Sequence, residues 1–171
     1  MKKKLLCTAL AAVMVLGLCA CGGDEQPAGD NNGESTATGA AFKLGGTGPL
    51  TGSAAIYGVA AKNGAQIAVD EINALGGDIQ FDLRYEDDVN DPEKAVNAYN
   101  TLKDWGMQIL MGTVTTDPCK AVVAESGNDN MFQLTPSASS TDVIKGKNVF
   151  QVCFTDPNQG TASAKYIGEH K

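Results

Sequence analysis

The chain predicts an α/β fold, an open, doubly wound parallel sheet with helices on both faces. Three observations predict it. Strand-like and helix-like segments alternate from Phe42 to the end of the chain. The dipeptide Asp-Pro recurs as Asp91-Pro92, Asp117-Pro118 and Asp156-Pro157, each time opening a helical pattern. Residues 107–111 read as an apolar strand, as the covered centre of a parallel sheet requires.

Each element has its own reason. Residues 42–45 form a short strand, and Gly46-Thr47-Gly48-Pro49-Leu50-Thr51-Gly52 is rich in turn formers. A helix over 57–75 carries Ala61, Ala65, Ala68, Ile72 and Leu75 on one face, and Gly76-Gly77 ends it. Residues 79–86 alternate apolar and polar, the mark of a strand buried on one side. Asp91 caps the next helix, Pro92 and Glu93 suit its first turn, and Ala95, Val96, Tyr99, Leu102 and Trp105 form its buried stripe before Gly106. Asp117-Pro118 opens a short helix reaching about Ser126. Strands over 131–134 and 149–154 follow, separated by a Ser/Thr-rich loop over 136–141. The last helix starts at Asp156-Pro157 and runs to the chain end with no closing glycine, so a longer natural protein is expected.

The first 41 residues read differently. Residues 1–20 begin with Lys2, Lys3 and Lys4 and continue with a 16-residue apolar run from Leu5 to Ala20, too short for the ~20 residues that span a bilayer. They form a signal peptide. Cys21 follows Leu18-Cys19-Ala20, the pattern of a bacterial lipobox, and is the expected site of lipidation. Residues 21–41 hold no large apolar side chain and read as a flexible linker with a reach of ~25 Å.

The chain has 13 basic and 20 acidic residues, a net charge of −7. Removal of the three signal lysines leaves 10 basic residues and deepens the imbalance. Such a surface repels phosphate, which excludes nucleic acid as a partner. Of five cysteines, only Cys119 and Cys153 lie in the folded part. They could pair, or Cys153 could be a small buried residue of an apolar strand. The sole histidine, His170, is next to last, so neither a zinc site nor a Ser/His/Asp triad is expected, and no cofactor is called for.

Ligands of open α/β sheets lie beyond the carboxyl ends of the strands. Two loops there are dense in hydroxyls, Gly112-Thr113-Val114-Thr115-Thr116-Asp117 and Thr135-Pro136-Ser137-Ala138-Ser139-Ser140-Thr141. Hydroxyls and free backbone N–H groups at a helix start suit a small carboxylate. Ordinary capping and turn chemistry explains the same composition. Gly46-Thr47-Gly48 lacks the third glycine of a dinucleotide loop. Asp87 and Asp88 read as a solvated turn rather than an acid/base pair, and no enzyme activity is expected.

Several of these segments, in order, resemble the leucine/isoleucine/valine-type solute-binding proteins of ABC transporters, with the type I periplasmic-binding fold. They are Gly48-Pro49-Leu50-Thr51-Gly52 with Tyr57-Gly58, the helix end Val69-Asp70-Glu71-Ile72-Asn73-Ala74-Leu75-Gly76-Gly77, the turn Glu86-Asp87-Asp88 with Asp91-Pro92, Leu134-Thr135-Pro136-Ser137-Ala138, and Asn158-Gln159-Gly160 with Ala164-Lys165-Tyr166-Ile167.

The resemblance implies a nearly complete first lobe over 42–155 and the first helix of a second, mostly absent lobe over 156–171. It implies that the binding loops are Thr115-Thr116 and Ser137-Ala138-Ser139, that Thr116 and Ser139 offer hydroxyls, that the Ser137 carbonyl faces an ammonium, and that Tyr57 and Val114 line a side-chain pocket. The implied ligand is a small amino acid, branched-chain by the resemblance, delivered to an ABC permease from outside the cytoplasm, with the lipid anchor as the only membrane contact. A sensing module of the same fold, or an amide- or urea-like solute, is the alternative. Two departures stand out: Asp117 beside Thr116, where a neutral hydroxyl is usual, and Asn90 with Thr115, where some members carry cysteines.

Overall fold

The computed structural model describes residues 41–170. The signal peptide, Cys21 and nearly all of the linker lie outside the described residues. The elements are β1 (Phe42–Gly48), α1 (Ala55–Ala74), β2 (Phe81–Asp87), α2 (Pro92–Trp105), β3 (Ile109–Met111), α3 (Thr116–Asn128), β4 (Gln133–Thr135), a 3₁₀ turn (Thr141–Ile144), β5 (Val149–Gln151) and α4 (Asp156–His170). The five strands form one sheet in the order β2-β1-β3-β4-β5, and every pair is parallel.

This order follows from the connections. The chain leaves β1 in one direction to make β2, then returns across β1 and continues through β3, β4 and β5. Right-handed crossovers therefore put α1 on one face and α2 with α3 on the other. The contacts agree: α2 packs on α3, while α1 packs on β1 and β2. The point where the direction reverses lies between β1 and β3.

The core sits under α2 and α3. Ala95, Tyr99, Leu102, Met107, Leu110 and Val122 form one buried cluster, with Val96, Trp105 and Met131 against it. A smaller cluster joins Cys119, Ala138 and Val143. The cap of α2 forms as its sequence predicts: the Asp91 carboxylate accepts from the Lys94 N–H at 2.9 Å, and Gly106 closes the helix in the left-handed region.

Several expectations change. β1 runs on to Gly48, through the glycines read as a loop, because pairing with β2 continues to Asp87. α1 is rotated from the expected face. Gly58 and Val69 are buried and Ala61 and Ala65 half-buried, while Ala68, Ile72 and Leu75 are exposed. The helix turns its smallest side onto the strands. Gly58 permits this, since a Cβ there would come within 1.9 Å of the Pro49 carbonyl oxygen. Residues 79–86 keep the expected alternation, but as the edge strand β2 the inward side is only half-buried. β3 is central, yet only Leu110 is fully covered, because α1 does not reach over it.

Candidate functional site

The loops at the carboxyl end of β1, β3 and β4 meet over the reversal point. They line an open cleft of about 260 Å³, whose wall is Tyr57, Val114, Thr115, Thr116 and Ser137. Each residue is brought there by a different local cause.

Tyr57 is on the first turn of α1, and the loop before it is held by Asp87. The Asp87 carboxylate accepts from the N–H of Leu50 (2.7 Å), Thr51 (3.4 Å) and Val89 (2.9 Å) and from the Thr51 hydroxyl at 2.6 Å. Partial burial works against its charge, but these bonds outweigh that and hold its pKa below the usual carboxylate range.

Val114 to Thr116 follow β3. Gly112 stands there at φ +144, where a Cβ would lie 2.6 Å from the Thr47 carbonyl oxygen, so the loop can turn tightly across β1 only as glycine. Thr115 caps α3 through its extended backbone but makes no side-chain capping bond. Its hydroxyl oxygen is buried without a hydrogen-bond partner. The first N–H groups of α3, at Thr116 and Asp117, lie at the positive end of the helix. α3 thus begins at Thr116, one residue before the expected Asp117 start, with Thr115 in the capping place. The side chain of Asp117 is 79% exposed and pairs with Lys120 at 3.7 Å. It forms an ion pair along α3 and is not one of the residues of the cleft wall.

Ser137 is fixed by its own hydroxyl, which donates to the Val114 carbonyl at 2.7 Å and ties the β4 loop to the β3 loop. Thr135 adds a second tie, donating to the Thr113 carbonyl at 2.7 Å and accepting from the Ala138 N–H at 3.1 Å. Ala138 and Ser139 are not part of the cleft wall. Ala138 is buried against Cys119 and Val143, and its carbonyl accepts from the Gln151 side chain. The Ser139 carbonyl accepts from the Asp156 N–H at 3.0 Å and anchors the start of α4.

Asp88 is the residue whose setting the sequence least prepared. It was read with Asp87 as a solvated turn, but it has no exposed surface, and one of its carboxylate oxygens lacks a partner. Burial pushes its pKa up to about 6, with Asp87 and Asp91 adding to the rise against a bond from the Asn90 N–H. The only signal in the chain was its place next to a buried strand end.

A parallel 2-1-3-4-5 sheet with a hydroxyl-walled cleft at its reversal point is shared by several ligand-binding families. Comparison with known proteins separates them. The sequence profile of one family, described as periplasmic binding protein, matches residues 41–171. The chain belongs to the periplasmic binding protein family. Among relatives of this binding-protein chain, the Leu/Ile/Val-binding protein BraC3 of Rhizobium johnstonii is 39% identical over 126 residues, covering 70% of this chain and 34% of that protein. The branched-chain amino acid transporter substrate-binding protein LivJ of Streptococcus pneumoniae, solved with isoleucine, is 30% identical with a TM-score of 0.70, over 77% of this chain and 39% of that one. A Rhodopseudomonas palustris solute-binding protein solved with 3,4-dihydroxybenzoic acid shares the fold at 18% identity and a TM-score of 0.61, over 67% and 32% of the two chains. The chain spans just over a third of the length of the curated relatives it matches.

Proposed function

We propose that this chain supplies one wall of a binding site for a small amino acid with a branched aliphatic side chain, in a receptor that hands its ligand to an ABC permease. The observation that carries the reading is the cleft wall of Tyr57, Val114, Thr115, Thr116 and Ser137 at the reversal point of the sheet. The free hydroxyl of Thr115 and the N–H groups opening α3 are suited to a carboxylate, each such bond being worth ~1.5–3 kcal/mol. Tyr57 and Val114 suit an aliphatic side chain. The names of two relatives, a Leu/Ile/Val-binding protein and a branched-chain amino acid transporter substrate-binding protein, point the same way.

In this reading residues 42–155 are the first lobe and 156–171 enter a second, which closes on the ligand and shifts an open–closed equilibrium that the permease reads. Ser139 then acts from the edge of the site, and Ala138 through its backbone and packing. Cys21 carries the lipid that holds the receptor at the outer face of the membrane, and the site performs no covalent chemistry.

Calorimetry on protein carrying both lobes tests this. Leucine, isoleucine or valine should give heat, and Thr116→Ala should weaken binding at least tenfold. Absence of heat with all three removes the amino-acid reading. The present chain alone should bind far more weakly, and micromolar affinity from it would contradict the two-lobe account.

A further inference from the structure

Cys119 and Cys153 converge on the same residue from different parts of the chain. Cys119 lies in the first turn of α3, has no exposed surface and packs against Ala138 and Val143. Cys153 follows β5 by two residues. Val152 and Phe154 on either side of it are exposed at 69% and 58%, while Cys153 turns inward with Gln151 and Thr155. Its sulfur lies 3.7 Å from the Ala138 carbonyl oxygen. Cys119 thus shares a buried cluster with Ala138, whose carbonyl faces the Cys153 thiol, while the Cys119 sulfur accepts from the Gln133 side chain at 3.5 Å. Both are free. The segment carrying Cys153 is pinned nearby at each end, by the Val152 N–H on the Thr135 carbonyl at 3.0 Å and the Asp156 N–H on the Ser139 carbonyl at 3.0 Å.

We propose that Cys119 and Cys153 form a covalent modification site, joined as a disulfide by a low-molecular-weight disulfide such as oxidised glutathione. The half-exposed thiol reacts first. The Cys153 thiolate attacks one sulfur of the oxidant, the oxidant's S–S bond breaks, and one small thiol leaves with a proton from solvent. Cys119 then gives up its proton, attacks the Cys153 sulfur and expels the second small thiol. Two protein thiols are oxidised by two electrons and one disulfide is reduced to two thiols. Burial pushes the Cys119 thiol up, and the neighbouring Cys153 adds to that, so the second step is the slow one and speeds with rising pH. The bond ties α3 to the segment leading into α4. On the reading proposed above, that segment is the passage to the second lobe, and the bond restrains its movement.

The chain, reduced and then incubated with oxidised glutathione at pH 8, is blocked with iodoacetamide under denaturing conditions and digested with trypsin without reduction. The expected product is peptide 104–120 linked to peptide 148–165, two hydrogens lighter than the separate peptides and split by dithiothreitol. Cys119→Ala should stop at a glutathione adduct on Cys153, and Cys153→Ser should leave Cys119 unmodified. A wild-type chain that also stops at the adduct with Cys119 alkylated overturns the proposal. So do Cys153–Cys153 dimers or links from Cys153 to Cys7, Cys19 or Cys21. No amino acid enters this experiment, so its outcome is separate from that of the calorimetry.

Discussion

At Asp88, one buried carboxylate makes the stability of the chain depend on pH in an uncommon direction. Its folded pKa, about 6, lies above the ~3.9 of an unfolded aspartate. The folded state therefore binds a proton more readily than the unfolded state between those values. Stability contributed through Asp88 grows as pH falls from 7 toward 4 and is lost as pH rises through about 6. Asp87, Asp129 and Asp142, held low by their bonds, act oppositely and only at more acid pH. Urea unfolding should find the chain more stable at pH 5 than at pH 7 by about 1 kcal/mol through this group. Asp88→Asn should flatten that difference, and an unchanged pH dependence in the variant would assign it elsewhere. The paired aspartates were visible in the sequence, but which of them entered the interior was not. Asp88 is tied to another strand, its N–H donating to the Gly48 carbonyl at 3.2 Å, and a contact of that range is not written in the residues beside it. For the same reason the sequence shows Asp117 beside Thr116 but not that its side chain is exposed and paired with Lys120.

Among the elements, α2 was the most legible. Its cap, its proline, its stripe and its closing glycine are local signals, and all lie where the sequence puts them. α1 was the least legible. It is apolar on most of its circumference, so periodicity alone could not fix its rotation. The contact that fixes it is backbone to backbone, Gly58 against Pro49. Gly58→Ala should accordingly cost about 1–3 kcal/mol, as overpacking does, although alanine favours helices elsewhere. Thermal melting measures this, and an unchanged or raised midpoint would mean that the loop yields freely. The loop from Gly48 to Gly52 carries the other half of the effect. Asp87 holds it through three hydrogen bonds, from the Leu50 and Thr51 N–H groups and the Thr51 hydroxyl, an arrangement that spacing along the chain did not announce.

Across the whole molecule, one face of the sheet is dressed and the other only partly so. α2 packs on β1 and β2, α3 packs on β4, and Leu110 of β3 is buried in the cluster they share, whereas α1 packs on β1 and β2. Phe132 and Phe150 stack at 5.2 Å with about half of each ring exposed, and Val152 and Phe154 continue the apolar surface. Leu75, which caps the end of α1, is 83% exposed. Surfaces of this kind bind hydrophobic dyes and one another. The chain should enhance anilinonaphthalene sulfonate fluorescence at neutral pH and scatter more light as its concentration rises. A native fold with neither property would show that this surface is covered in solution.

The sequence by itself determined the alternation of elements, the parallel sheet and the family. These rest on hydrophobic period, caps and turn residues, which act within a few positions of the chain. It also singled out the two hydroxyl loops, because loop position follows once strands are placed. Tertiary structure alone decided which side chains reach the common cleft. Ser137 comes to its wall because its hydroxyl spans to Val114, while Ala138 is drawn into the core beside Cys119. Contacts between residues so far apart in the chain exist only after the crossovers stack the strands, so no local pattern encodes them.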